Sequence, residues 1–168
     1  QAAEALGQDL RTLIASDGDA LNLTVNTQPA MLAAGIVVYA AWRAACGPVP
    51  AIMAGHSLGE YTALTAAASL KFEDALKLVR FRATAMQEAV PVGTGAMAAI
   101  LGLSDDDVRK ACAQALQDGA AGEVVEAVNF NAPAQVVIAG NKPAVERACA
   151  AAKTLGAKRA LPLPVSAP

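Results

Sequence analysis

The chain has 168 residues, of which 55% are hydrophobic, 4% aromatic and 17% charged, and its formal net charge is −2. The high apolar share and low charge exclude intrinsic disorder, and the absence of a basic patch argues against nucleic-acid binding. No apolar run reaches the roughly 20 residues of a membrane-spanning helix, and the first residues do not predict a signal peptide. Three separated cysteines and one histidine predict reduced thiols in a cytoplasmic protein and no metal site.

The first half of the chain predicts several helices around a single strand. Helices are expected over Gln1 to Ala15, from Thr27 to about Ala45, over Leu58 to Ser69 and over Glu73 to Ala89. A polar turn is expected at Ser16 to Asp19. The apolar run Val49 to Ala54 lies between turn signals, which favours a buried strand. One strand cannot make a covered sheet, so residues 1–92 are expected to be part of a larger α/β layer.

The second half predicts a small complete unit over residues 93–165. Strands are expected over Ala96 to Leu103, Glu123 to Phe130, Gln135 to Ala139 and Lys158 to Val165. Helices are expected from Ser104, which is followed by three aspartates that suit a helix N-terminus, and from Asn141 to Leu155. The resulting order β-α-β-β-α-β is that of a ferredoxin-like domain. Residues 166–168 would begin the return to the larger layer.

The strongest motif is the segment Gly55-His56-Ser57-Leu58-Gly59, which lies between the predicted strand and a predicted helix. A G-x-S-x-G sequence in that context predicts a nucleophile elbow, a sharp turn that holds the Ser57 hydroxyl away from the packed layer. The Leu58 amide, at the helix N-terminus, would then stabilise an oxyanion. The alternative is an ordinary glycine turn without catalytic chemistry.

Arg82 is the second candidate because its helical neighbours three and four positions away are apolar. A guanidinium on such a face needs a carboxylate or phosphate partner, since burying a lone charge is costly. The alternatives are that Arg82 extends to the helix edge or pairs with an internal acid. Arg80, by contrast, has Lys77 and Thr84 on its side and is expected to be solvated.

Several stretches together resemble the malonyl-CoA:acyl-carrier-protein transacylases and related acyltransferase domains of fatty-acid and polyketide synthesis. The matching segments run in order along the chain: Thr27 to Ala30, Ala54 to Tyr61, Met86 to Pro91, Gly93 to Met97, Asn129 to Pro133 and Val136 to Gly140. The resemblance implies an α/β fold, with part of an α/β-hydrolase-like large subdomain (residues 1–92) and a ferredoxin-like small subdomain (residues 93–165).

The resemblance also implies roles for individual residues. Ser57 would be the nucleophile, and Arg82 would bind the free carboxylate of a malonyl group. His56, Gln28 and Asn131 would lie on the substrate-binding side, although capping and turn formation explain Gln28 and Asn131 equally well. The base in the family is a histidine other than the one at the elbow, and it follows a stretch resembling residues 161–168. The chain by itself is therefore expected to be an internal fragment without turnover.

Malonyl-CoA and the phosphopantetheine thiol of acyl carrier protein are the substrates that the resemblance implies, with no cofactor and a monomeric enzyme. Basic residues that would contact an acidic carrier protein are not distinguished by the sequence; the candidates are Lys71, Lys77, Arg80, Lys153 and Lys158. Two rival functions stay open: a serine esterase that shares the elbow, and a non-catalytic interaction module. The segment from Gly93 to Ala98 mimics a dinucleotide motif but leads into a strand, the reverse of the required order.

Overall fold

The structure is a computed structural model that describes residues 1–16, 19–91 and 93–164. The chain forms two compact units, Gln1–Gln87 and Glu88–Pro168. The boundary predicted between residues 92 and 93 separates two subdomains of the whole protein, and that division stays a prediction. The predicted return segment, residues 166–168, lies outside the described residues.

Unit 1 is helical throughout its described residues. Its helices are α1 (Ala2–Leu6), α2 (Leu10–Ala15), α3 (Asp19–Asn22), α4 (Thr24–Ala44), α5 (Leu58–Ala66) and α6 (Phe72–Ala89), which continues two residues into unit 2. A small core from α2, α4 and α6 includes Leu13, Leu32, Leu76 and Val79, with Leu58 and Tyr61 of α5 packed against it. The core therefore anchors the helix that follows Ser57.

The single helix predicted over Gln1 to Ala15 is wrong, because the structure has two helices there. Gly7 ends α1 in the left-handed conformation (φ 64°), which glycine adopts without strain. The Asp9 side chain then caps α2 by accepting a hydrogen bond from the Arg11 amide at 2.9 Å. The turn predicted at Ser16 to Asp19 falls partly on residues 17–18, which are not described, and Asp19 already belongs to α3.

Helix α4 begins at Thr24 rather than at Thr27, so the predicted start is three residues late. The prediction relied on the preference of proline for a first helical turn, but Pro29 lies in the interior of α4. Proline there removes one backbone hydrogen bond. Pro29 is fully buried, and the apolar packing of its ring offsets part of that loss.

The buried strand predicted over Val49 to Ala54 is wrong. The segment has no strand structure, and all but one of its side chains are exposed, with exposed fractions of 61% for Val49 and 86% for Ile52. An extended segment becomes a strand only when it pairs with another, and no strand lies within the described residues of unit 1. The apolar pattern alone did not reveal whether a pairing partner was present.

Two further predictions in unit 1 need correction. Helix α5 ends at Ala66 rather than at Ser69, and Ala68 has a positive φ of 59° just beyond it. Arg80 is half-buried rather than solvated, because its guanidinium reaches across to donate a hydrogen bond to the Gln8 side chain. The partner of Arg80 is 72 positions away in sequence, so the spacing of residues within its own helix could not predict it.

Unit 2 has the predicted order of elements. They are β1 (Gly95–Leu101), α7 (Asp105–Gln117), β2 (Val125–Ala132), β3 (Gln135–Asn141), α8 (Lys142–Thr154) and β4 (Arg159–Leu163). The four strands form one antiparallel sheet in the order β2-β3-β1-β4. The predicted strand boundaries are correct to within two residues where the structure describes them, and Val165 lies outside the described residues.

The core of unit 2 lies between one face of the sheet and the two helices. Alternate residues of the central strands point into it, including Ala98 and Ile100 of β1 and Val136 and Ile138 of β3. Ser104 caps α7, as expected, by accepting a hydrogen bond from the Asp107 amide at 3.2 Å. Among the described residues no helix is long and apolar enough to cross a membrane, and no group of three His, Cys, Asp or Glu is placed to hold a metal ion.

Candidate active site

Ser57 lies at a sharp corner immediately before helix α5. Its backbone has φ 53° and ψ −114°, a conformation that residues other than glycine rarely adopt. Although Ser57 occupies the N-cap position, its side chain makes no capping hydrogen bond, and the residue is exposed. The corner therefore holds the Ser57 hydroxyl in the open, as a nucleophile elbow requires, at the cost of backbone strain.

Gly55 makes this corner possible because the first turn of α5 folds back onto it. A Cβ atom at Gly55 would lie 1.9 Å from the Gly59 carbonyl carbon and 2.2 Å from the Glu60 nitrogen, which are both backbone atoms. No larger residue fits without moving α5. Gly59 differs, since no atom lies within 4 Å of a Cβ built there. Within this chain only the first glycine of the motif is required by close backbone approach.

The N-terminus of α5 presents a backbone donor next to Ser57. The Gly59 amide donates to the His56 carbonyl at 2.9 Å, and the Glu60 amide donates to the Ser57 carbonyl at 3.2 Å. The Leu58 amide makes no hydrogen bond within the described part of the chain. It is therefore available to an anionic oxygen, and the positive end of the helix dipole lies in the same place.

Arg82, on α6, is brought together with Ser57. Its Nη2 atom donates to the Ser57 hydroxyl oxygen at 3.0 Å, and its Nη1 atom donates to the Gln28 side-chain oxygen at 2.6 Å. The Tyr61 ring, one turn into α5, lies 5.9 Å from the guanidinium carbon. No carboxylate pairs with Arg82 among the described residues, so the alternative of an internal ion pair does not apply. The half-buried guanidinium is free to bind an external anion.

The buried side chain of Gln28 accepts a hydrogen bond from the Arg82 guanidinium. It is the one buried polar side chain among the described residues, with 5% of its surface exposed. Its amide nitrogen donates to the Thr24 hydroxyl at 3.0 Å and lies 3.4 Å from the Met86 sulfur. Because Gln28 sits in the interior of α4, at its fifth residue, helix capping does not explain it.

The roles predicted for the other two site residues are not established by their surroundings. His56 is exposed at the elbow and makes no side-chain hydrogen bond within the described chain, including to Ser57. Asn131 is exposed on β2 and belongs to unit 2. Substrate contacts by His56 and Asn131 therefore stay predictions.

Sequence reasoning missed the residues that surround the guanidinium. Tyr61 lies four positions after Ser57, in the first turn of the helix that Ser57 precedes, and that spacing was an available signal. Thr24 precedes Gln28 by four positions in the same way. It was missed because the helix was predicted to begin at Thr27, beyond Thr24.

The sequence and the fold match those of a family of acyl-transferring enzymes. Residues 3–161 match the acyl transferase domain family, and the chain belongs to that family. Among curated relatives, the malonyl CoA-acyl carrier protein transacylase of Escherichia coli (strain K12) is 57% identical over 169 residues, and that of Bacillus subtilis (strain 168) is 45% identical. All of this chain aligns with each, but only 53% and 52% of the respective relative is covered.

Solved structures agree with these relatives. The acyl-carrier-protein S-malonyltransferase of Burkholderia pseudomallei 1710b is 66% identical, with a TM-score of 0.90 over 99% of this chain and 53% of that one. A malonyl-transacylase whose structure is solved in complex with its type II polyketide synthase acyl-carrier protein is 51% identical, with a TM-score of 0.90 over 99% of this chain and 53% of that one. The chain thus spans about half the length of the proteins that it resembles.

Proposed function

We propose that this chain is an internal segment of a transferase that moves a malonyl group from malonyl-CoA to the phosphopantetheine thiol of acyl carrier protein. The observation that carries the proposal is the 3.0 Å contact between the Arg82 guanidinium and the Ser57 hydroxyl at a strained, exposed elbow. The names of the curated relatives support the same substrates. This activity belongs to fatty-acid biosynthesis.

In the first step, the Ser57 oxygen attacks the thioester carbon of malonyl-CoA and a base takes the hydroxyl proton. A new C–O bond forms and gives a tetrahedral intermediate, whose oxyanion the Leu58 amide stabilises. The intermediate collapses, the C–S bond breaks, and CoA leaves as the protonated thiol. Ser57 then carries the malonyl group as an ester.

The malonyl carboxylate is bound by Arg82 through both steps. A guanidinium presents parallel donors that fit the two oxygens of a carboxylate, and its charge is permanent. In the absence of substrate, one of those donors bonds to the Ser57 oxygen instead. Serine esterases share the elbow, but a neutral ester gives such a cation nothing to bind, so Arg82 favours a substrate with a free acid.

In the second step, the carrier-protein thiol attacks the ester carbon of malonyl-Ser57. The base takes the thiol proton and a C–S bond forms. The C–O bond to Ser57 then breaks, and the base returns that proton to the serine oxygen. No cofactor is needed, because both bonds exchange without oxidation or reduction. Water has to be disfavoured at the ester, since hydrolysis would waste the malonyl group.

The base is proposed to be a histidine outside these 168 residues. His56 is the only histidine in the chain, and it makes no side-chain hydrogen bond to the Ser57 hydroxyl within the described residues. The proposal therefore includes that the isolated chain has no turnover. In the whole enzyme, unit 1 would belong to an α/β-hydrolase-like large subdomain and unit 2 would be its ferredoxin-like small subdomain.

The whole enzyme is proposed to act as a cytoplasmic monomer that binds acyl carrier protein transiently. The three cysteines are free, which suits a reducing compartment. The carrier-protein complex of a 51% identical transacylase supports the choice of partner.

The test is a transfer assay on the full-length protein that contains this chain. The protein is mixed with malonyl-CoA and holo acyl carrier protein, and malonylated carrier protein is separated from the holo form. We expect saturable transfer that Ser57→Ala abolishes and acetyl-CoA supports poorly. Hydrolysis of neutral acyl esters without transfer to the carrier protein would instead assign the chain to an esterase.

A further inference from the structure

We propose that Thr24 is a positioning residue that holds the Gln28 carboxamide in the orientation that Arg82 requires and thereby keeps Arg82 aimed at the acyl site. This inference rests on the proposed function, because its consequence is selectivity for an acyl group with a free carboxylate. The structure connects four side chains in series: Thr24, Gln28, Arg82 and Ser57.

The orientation of Gln28 follows from the chemistry of its neighbours. A guanidinium has only donors, so the Gln28 atom that faces Arg82 must be the carboxamide oxygen. The carboxamide nitrogen then points the opposite way, where the Thr24 hydroxyl accepts one of its hydrogens at 3.0 Å. A flipped carboxamide would place an NH₂ group against the guanidinium. The guanidinium therefore sets the orientation of the carboxamide, and the Thr24 oxygen satisfies the buried nitrogen in that orientation.

Because Gln28 is buried, loss of its hydrogen bond to Thr24 would be costly. With 5% of its surface exposed, Gln28 cannot exchange a lost partner for bulk water, so an unsatisfied amide donor is costly. The remaining neighbour of the nitrogen is the Met86 sulfur at 3.4 Å, which is a weak acceptor. Without the Thr24 oxygen, we expect the carboxamide to turn in search of another acceptor and release the Nη1 side of Arg82.

Thr24 can present its oxygen there because α4 begins at that residue. Positions i and i+4 of a helix lie on the same face, which brings the Thr24 hydroxyl over the Gln28 side chain. Thr27 offers a matched contrast in the same helix. Its hydroxyl donates to the backbone carbonyls of Leu21 and Leu23 and does not contact Gln28.

The experiment compares Thr24→Val, which keeps the shape and removes the acceptor, with Thr24→Ser, which keeps the acceptor, in the full-length protein. The readout is the ratio of kcat/KM for malonyl-CoA to kcat/KM for acetyl-CoA. We expect Thr24→Val to lower the ratio about 5- to 10-fold, as loss of one hydrogen bond between neutral groups does. Thr24→Ser should restore the ratio to within about 2-fold. Thr27→Val should lower the melting temperature without changing the ratio.

A double-mutant comparison guards against a general folding effect. In a Gln28→Met background, where no carboxamide remains to orient, Thr24→Val should leave the malonyl-to-acetyl ratio unchanged. A wild-type preference for malonyl-CoA that Thr24→Val does not reduce would overturn the inference and leave the proposed function intact. An equal loss in the Gln28→Met background would also overturn it. A wild-type protein with no malonyl preference would overturn the proposed function itself.

Discussion

The Arg82 guanidinium donates a hydrogen bond to the Ser57 hydroxyl, with 3.0 Å between Nη2 and Oγ, although the two residues are 25 positions apart in sequence. Ser57 is held by a strained corner and Arg82 by a buried glutamine, so both ends of this contact are fixed by the fold. A permanent cation beside an exposed nucleophile is the arrangement expected for an acyl group that carries its own negative charge.

Removing the guanidinium should impair malonyl transfer selectively. Arg82→Ala in the full-length protein is expected to lower kcat/KM for malonyl-CoA by roughly 30- to 1,000-fold, because a desolvated charge pair contributes about 2–4 kcal/mol. The value for acetyl-CoA should change far less. Arg82→Lys keeps the charge but loses the paired donors, so it should not restore the malonyl rate. Parallel losses with both substrates would show that Arg82 supports only the fold.

The two glycines of the elbow should respond differently to substitution. Gly55→Ala places a methyl group about 2 Å from backbone atoms of Gly59 and Glu60, so we expect a displaced α5 and loss of Ser57 acylation by malonyl-CoA. Gly59→Ala is the matched control, because its methyl group meets no atom of this chain within 4 Å. Acylation is followed by intact-protein mass. Normal acylation of Gly55→Ala would mean that the close approach at the corner is not required.

The cap of α7 should contribute measurably to stability. The Ser104 hydroxyl accepts from the Asp107 amide at 3.2 Å and donates to the Asp107 carboxylate at 2.8 Å. Ser104→Ala is expected to lower the free energy of unfolding by about 1 kcal/mol, measured by denaturant titration, and Ser104→Asp should retain most of it. The account of this helix start fails if Ser104→Ala and Ser104→Asp are equally stable.

The stability of unit 2 should fall at alkaline pH because of Cys112. Burial, helped by nearby Cys149 and Glu126, raises the pKa of the Cys112 thiol to about 11. Between the ordinary thiol pKa near 9 and this value, the folded state binds more protons than the unfolded state, so stability is full below that window and is lost as the pH rises through it. The contribution is about 2–3 kcal/mol.

The measurement is the free energy of unfolding as a function of pH. Cys112→Ala should be less stable at neutral pH because a packed side chain is lost. Its free energy of unfolding should fall by about 2 kcal/mol less between pH 9 and 11 than that of the unsubstituted protein. Cys46→Ala serves as the control, since Cys46 is exposed. An unchanged slope in Cys112→Ala would contradict the assignment.

The sequence predicted unit 2 well because its signals are local. Alternating apolar residues mark β1 and β3, Ser104 and the aspartates after it mark a helix start, and the short connections leave few alternative topologies. The elbow was predicted for a similar reason, since the two glycines and Ser57 lie within five residues. Arg82 was predicted because a charge on an apolar helical face is unusual, and the structure places its guanidinium beside Ser57.

The failures concern properties that a local pattern does not contain. Residues 49–54 have the composition of a strand, but strand formation depends on a pairing partner elsewhere in the protein. The start of α4 was placed too late because Pro29 is tolerated inside the helix by its burial, which sequence alone does not report. Because of that error, the sequence did not predict that Thr24 contacts Gln28, the residue that binds Arg82.

The most direct test of the account is the mass of the full-length protein after brief exposure to malonyl-CoA. The account predicts one added malonyl group, located on Ser57 by peptide mapping, absent in Ser57→Ala and discharged by holo acyl carrier protein. A malonyl group on another residue, or the same adduct on Ser57→Ala, would contradict the claim that this serine carries the acyl group.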